Sequence, residues 1–231
     1  MPKRPRLDNN DDDDKNDDAC IERSGSNVYF YADVTVNNVR KMLGLLDAAK
    51  RVALRRDPSG DARVMLYIHS DGGDLYAGMT ALDHIEASSV PVWTVCEGFV
   101  ASAATVIALS GARRFAMPHA TLLVHAPSTS IAGRFQEIMQ ETRNAQLVMR
   151  TLTRIYEKRT RLDRAGLERM MKKESLLTHE DALRAGFVEG APPGVRCRRE
   201  DRGPGRKPMA AGKRRQPGPD AKRVNTHIRF A

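Results

Sequence analysis

Apolar side chains recur along this chain at two spacings, and the switches between them predict its elements. From Asn38 to about Leu54, Val39, Met42, Leu43, Leu46, Ala49 and Ala53 fall three and four apart, while Arg40, Lys41, Asp47 and Lys50 take the other face. That is the pattern of an amphipathic helix. Asp57-Pro58-Ser59-Gly60-Asp61 then breaks the chain as a turn. Order is expected to begin at Asn27, with Asn27–Tyr31 as a first strand; Pro91–Cys96, Arg113–Ala116 and Thr121–Val124 read as further strands. Val64-Met65-Leu66-Tyr67-Ile68 is apolar without alternation, which predicts a strand covered on both faces, as in a parallel sheet. Helical patterns follow these runs from Leu75 to about Glu86 and from Ser102 to Leu109, so strand and helix alternate. Alternation of this kind predicts right-handed βαβ crossovers in a mainly parallel sheet, an α/β fold.

The second half is helical. Phe135, Ile138, Met139, Leu147, Val148, Leu152 and Ile155 mark a run from about Gly133 to Lys158. At 1.5 Å per residue it reaches about 35 Å, more than a domain of this size needs to cover its own sheet. It is therefore expected to project and to meet another subunit. A helix from Asp163 to Lys173 has Asp163 as its N-cap, and one from His179 to Ala185 is bracketed by Thr178 and Gly186.

Composition changes the picture at the two ends. Of 231 residues, those from 27 to 190 carry the periodic patterns, enough for one domain with a substantial core. Residues 1–26 are polar and acidic and residues 191–231 are rich in Gly, Pro, Lys and Arg, so both are expected to be disordered tails. The net charge of +9 resides in the second tail, where 12 Lys/Arg stand against 3 Asp/Glu from Gly190 to Ala231. It says little about the folded body. The basic tail offers charge to nucleic acid, acidic partners or an import receptor, or only to solvent, and Pro2-Lys3-Arg4-Pro5-Arg6 reads as a nuclear-localisation patch or a solvated terminus. The cysteines, Cys20, Cys96 and Cys197, are odd in number and far apart, which supports neither a disulfide framework nor a zinc ribbon. With no apolar run of membrane-spanning length and a charged start, the expectation is a protein of the cytoplasm, without leader or membrane contact.

Candidate chemistry sits at three strand ends. Ser102 heads an apolar helical run after Cys96-Glu97-Gly98-Phe99-Val100-Ala101, where unpaired backbone N–H groups and a helix dipole would meet an oxyanion. Serine is equally a leading N-cap residue, so Ser102 alone reads as nucleophile or as cap. Gly72-Gly73 follows the strand Val64–Ile68, and adjacent glycines let a backbone approach a ligand or simply turn. His125 closes the strand Thr121–Val124 just before Ala126-Pro127, at the edge where open α/β sheets bind ligands. The remaining histidines, His69, His84, His119, His179 and His227, read as structural or surface groups, and Cys96 as a small core residue.

Taken together, these segments resemble the proteolytic subunit of the Clp protease, a serine peptidase of the crotonase-like superfold, over about residues 27 to 190. Ser70-Asp71-Gly72-Gly73 is similar to the family's Ser-Pro-Gly-Gly loop, with Asp71 in place of proline, and Ala77-Gly78-Met79 follows as the family has it. Gly98-Phe99-Val100-Ala101-Ser102 matches its nucleophile turn, and Arg114-Phe115, Pro118 and His125-Ala126-Pro127 match its later motifs. The resemblance implies a fold of repeated ββα/βαβ units with a projecting long helix. It also implies Ser102 as nucleophile, His125 as general base, and an oxyanion hole from the backbone N–H groups of Gly73 and Ala103. Aligned on Gly186, Glu174 falls where the family has its aspartate, so Glu174 is the implied acid, with Asp163 and Asp181 as fallbacks or a Ser-His dyad without an acid.

By the same resemblance the chain would cleave peptides and unfolded proteins inside a homo-oligomeric ring of stacked heptamers. It would hold no metal and no cofactor of its own, ATP entering only through a partner AAA+ unfoldase. Residues 1–26 lack the family's N-terminal axial loop pattern, which counts against unfoldase docking and leaves a viral head-maturation-type protease on the same fold as an alternative reading. A crotonase-like acyl-CoA enzyme and an inactive ring scaffold are the other readings. An α/β-hydrolase is disfavoured because Gly-x-Ser-x-Gly is absent around Ser102.

Overall fold

The protein is described here by a computed structural model covering residues 20–127, 132–174 and 176–195. In chain order its elements are β1 (Cys20–Ser24), β2 (Asn27–Tyr31), α1 (Val36–Arg56), β3 (Val64–Ser70), α2 (Leu75–Glu86), β4 (Val92–Ala101), α3 (Ala103–Ala108), β5 (Arg113–Ala116), β6 (Thr121–Leu123), α4 (Phe135–Arg159), α5 (Arg164–Lys173), β7 (Leu176–Leu177) and α6 (His179–Ala185). The expected α/β alternation is present. One sheet runs β1-β2-β3-β4-β6-β7, with β5 also paired to β4. β2, β3, β4, β5 and β6 pair in parallel, while β1 and β7 join antiparallel at the two edges.

Several elements differ from the pattern reading. A strand precedes Asn27: β1 pairs with β2 through a tight hairpin in which Gly25 sits at φ 62. Its apolar signal was a single buried residue, Ile21, too little to stand out in a polar segment. Residues 1–19 and 196–231, which carry the rest of both tails, lie outside the described residues. β3 is not covered on both faces. Val64, Leu66 and Ile68 are buried, but Met65 and Tyr67 are half-buried and His69 is exposed. The apolar side chains on that second face meet other aromatics instead of a helix, with Tyr67 stacked on Tyr29 at 5.0 Å and Trp93 5.6 Å from Phe115.

The core lies against the other face, where Val39, Met42, Leu46, Ala49 and Ala53 of α1 meet Val28, Phe30, Leu66 and Ile68. Thr35 caps α1 by accepting from the Asn38 N–H at 3.1 Å, which starts that helix two residues before Asn38. Asp74 caps α2 through the N–H groups of Tyr76 and Ala77.

β4 positions the site. Its first half pairs with β5 and its second half with β6, on the same edge. Between the halves the register against β3 shifts, because Ile68 faces Cys96 and Ser70 faces Val100. The strand therefore runs straight through Glu97-Gly98, where the sequence suggests a turn, and absorbs the extra residues as a bulge. His69 fills the bulge: its Nδ1 accepts the Phe99 N–H at 3.1 Å, and Gly98 at φ 51 leaves it room. A Cβ on Gly98 would stand 2.5 Å from that nitrogen.

Candidate active site

Ser102 stands between the end of β4 and the start of α3. It occupies the N-cap position of α3 at φ 53 and ψ −126, and its hydroxyl makes no capping hydrogen bond. A non-glycine residue held at positive φ is strained by roughly 1–3 kcal/mol, and such strain gathers at functional turns. The N-cap reading of Ser102 thus loses its physical basis, because the oxygen that would cap the helix is free of that duty. The backbone does the tying instead: the Ser102 N–H donates to the Leu123 carbonyl at 2.9 Å, and its carbonyl accepts from the Thr105 N–H at 3.0 Å.

The Gly72-Gly73 turn packs directly on this turn. Gly72 lies at φ 101, and a Cβ there would come within 2.6 Å of Ser102 Cβ and 2.7 Å of the Ala101 carbonyl oxygen. Gly73, at φ 137, is held by Val34 on the other side, through Val34 N–H to the Gly72 carbonyl and Asp74 N–H to the Val34 carbonyl, both at 2.7 Å. Gly73 and Ala103 themselves donate no backbone hydrogen bond among the described residues. Two unspent N–H groups, one from each packed turn, flank Ser102.

His125 arrives from the neighbouring strand. β4 and β6 pair Ala101 with Leu123, so the residues just beyond, Ser102 and Val124, leave the sheet side by side, with His125 next in line. The half-buried ring places Nδ1 2.9 Å from the Ala126 carbonyl oxygen. As a donor there, Nδ1–H leaves Nε2 as the unprotonated, basic nitrogen. Among the described residues no hydrogen bond joins the ring to Ser102 Oγ.

Glu174 stands two residues before β7, the short strand that pairs antiparallel with β6. Leu122 pairs with Leu177 and Leu123 with Leu176. Glu174 is exposed at φ 49, as the C-cap of α5, and no hydrogen bond or ion pair joins it to His125 among the described residues. The fallback acids are engaged elsewhere. Asp163 caps α5 through the Gly166 N–H at 2.8 Å. Asp181 closes the cap of α6, where hydrogen bonds from the Thr178 side chain and backbone hold its carboxyl below the usual range.

The other histidines take structural or surface places: His69 in the bulge, His84 and His119 exposed, and His179 3.2 Å from the Met117 carbonyl. His227 and Cys197 lie outside the described residues. Cys96 is buried in β4, and burial pushes its thiol up to about 12, far from a nucleophile's range. Among the described residues no group of three or more His, Cys, Asp or Glu side chains is placed to hold a metal ion, and no helix is long and apolar enough to cross a membrane.

A family model described as Clp protease matches residues 40–191, more than half of the chain. The ATP-dependent Clp protease proteolytic subunit of Deinococcus radiodurans is 28% identical over 131 residues, which span 56% of this chain and 64% of that relative. The match thus covers less than two thirds of the relative's length.

Proposed function

This chain belongs to the Clp protease family, and we propose on that premise that it is a serine peptidase with Ser102 as nucleophile and His125 as general base. The observation that carries the reading is Ser102 itself, strained at φ 53 with its hydroxyl released from capping, beside the Gly73 and Ala103 N–H groups, which donate no backbone hydrogen bond among the described residues. Ser102 Oγ attacks the scissile carbonyl while His125 Nε2 takes its proton. The tetrahedral oxyanion is received by the two N–H groups, and His125 returns the proton to the leaving amine. Water then repeats the cycle on the acyl-enzyme.

The acyl-CoA reading shares the two donors but needs neither a free serine hydroxyl nor a histidine poised at Nε2. Turnover of a fluorogenic peptide, with no consumption of an acyl-CoA thioester, is the expected result. Thioester turnover without peptide cleavage would replace this reading with the other.

Glu174 is proposed as the acid that stabilises the imidazolium. The Ala126 carbonyl already orients Nδ1–H, so the carboxylate adds charge stabilisation only, across an exposed site. Glu174→Ala is accordingly expected to lower kcat by about 10- to 100-fold, well short of a triad acid that also sets the tautomer. A loss as large as that of Ser102 would mean Glu174 alone orients the ring. An unchanged kcat would leave a Ser-His dyad.

Substrates on this reading are peptides and unfolded chains, with an AAA+ unfoldase as partner. Assembly into a ring is supported by α4, which exposes Phe135, Ile138, Met139 and Leu147 and buries only Leu152 and Tyr156. A helix this apolar along its outer half is costly to leave in water. Sedimentation of the full chain should find a multi-subunit species; a stable monomer would contradict the ring.

A further inference from the structure

Behind the nucleophile turn lies a buried chain of hydroxyls that the proposed chemistry does not itself use. The Thr105 hydroxyl donates to the Ser102 carbonyl oxygen at 2.6 Å, and its oxygen lies 2.6 Å from the Tyr156 hydroxyl. Thr105 spends its only proton on Ser102, so Tyr156 must be the donor to Thr105. Both side chains are buried, Thr105 at 0% and Tyr156 at 2% exposure. Burial pushes the Tyr156 hydroxyl up to about 12, so it is a protonated donor at neutral pH. Tyr156 lies in the last turn of α4, where its ring packs against Phe187 at 5.9 Å.

The carbonyl that this chain grips belongs to the same peptide unit as the Ala103 N–H. A peptide is planar, so fixing the direction of its C=O fixes the direction of its N–H. The Thr105 N–H at 3.0 Å and the Thr105 hydroxyl hold that carbonyl from two points. Hydrogen bonds accepted by the oxygen also polarise the unit and strengthen its N–H as a donor.

We propose that Thr105 and Tyr156 are positioning residues that aim the Ser102–Ala103 peptide, so that the Ala103 N–H meets the developing oxyanion. The inference rests on the serine-peptidase reading. It joins the oxyanion hole to the base of α4, 51 residues away in sequence, so the same helix that is proposed to carry assembly also braces the site.

The test compares Thr105→Val, which keeps the shape and removes the hydroxyl, with Thr105→Ser, which keeps the hydroxyl, and with Tyr156→Phe, which keeps the buried ring. Peptide kcat and KM are measured on the full-length protein, together with the affinity of a peptide boronate that mimics the tetrahedral state. Thr105→Val is expected to lose about 10- to 100-fold in kcat, somewhat less than deletion of an oxyanion donor, with KM within about threefold. Boronate affinity should fall by a similar factor. Thr105→Ser should recover most of the loss. Tyr156→Phe should lose severalfold in the same direction, because Thr105 keeps its own bond to Ser102. Variants that unfold more easily but keep kcat and boronate affinity would show a core hydroxyl pair with no part in positioning, and would overturn the proposal alone. Should Thr105→Val not fold, Tyr156→Phe decides by the same readouts. A wild type that neither cleaves peptide nor binds boronate would remove the peptidase reading and this proposal together.

Discussion

Ser102→Ala is expected to lower peptide kcat by about 10⁵- to 10⁶-fold, the size of loss that follows removal of a serine nucleophile whose partners act as a unit with it. Stability should hardly change. An N-cap serine replaced by alanine ordinarily costs about 1 kcal/mol, but the Ser102 hydroxyl caps nothing. The fold of the turn is kept by backbone bonds, from the Ser102 N–H to Leu123 and from the Thr105 N–H to Ser102. A variant that is inactive yet melts with the wild type separates the nucleophile from the cap. A variant that loses stability and keeps activity would restore the cap reading.

Gly72→Ala is the second large effect. The new methyl would need space 2.6 Å from Ser102 Cβ and 2.7 Å from the Ala101 carbonyl oxygen, and neither neighbour is the flexible end of a long side chain. At φ 101 the backbone itself resists a side chain. The conformational cost alone is roughly 1–3 kcal/mol, and any relief must come from separating the two turns that carry the Gly73 and Ala103 N–H groups. A displacement on the order of 1 Å at a reacting centre costs about 10²-fold in rate, and more when an oxyanion donor moves with it. Gly72→Ala should therefore lose about 10²- to 10³-fold in kcat, along with thermal stability. Activity within a factor of about three of wild type would mean that the two turns do not form one site.

Long periodic segments were legible because the 3.6-residue repeat of an amphipathic helix is averaged over many positions. Val39, Met42, Leu46, Ala49 and Ala53 are buried in α1, as their spacing predicts. The parallel strands were legible from the same runs. Three features were not. β1 carries one buried apolar residue, and its clearest signal, Gly25-Ser26 between two extended segments, is a turn that only a partner strand makes meaningful. β7 is two residues long, below any period. The passage of β4 through Gly98 depends on His69, 29 positions earlier, filling the bulge, and no local pattern reports such a contact.

The site divides the same way. Ser102, Gly72, Gly73 and His125 could be singled out because each lies at a strand end beside a local signal. What Ser102 does could not be read from its neighbours, since cap and nucleophile share one sequence signature and differ only in where the hydroxyl is spent. Thr105 lies in an apolar helix and Tyr156 in a long amphipathic one, and nothing in either segment announces that their oxygens meet. Glu174 precedes the two-residue strand β7 and makes no hydrogen bond or ion pair with His125 among the described residues, while the alternative acids are engaged at helix starts, Asp163 as the N-cap of α5 and Asp181 in the capping box of α6.

The central claim is that Ser102 is a nucleophile activated by His125. Its most direct test is to treat the full-length protein with a fluorophosphonate and locate the adduct by mass spectrometry. The adduct is expected on Ser102, absent from Ser102→Ala and formed far more slowly in His125→Ala. No adduct on Ser102 in the folded wild type, or one that forms equally fast without His125, would contradict the account.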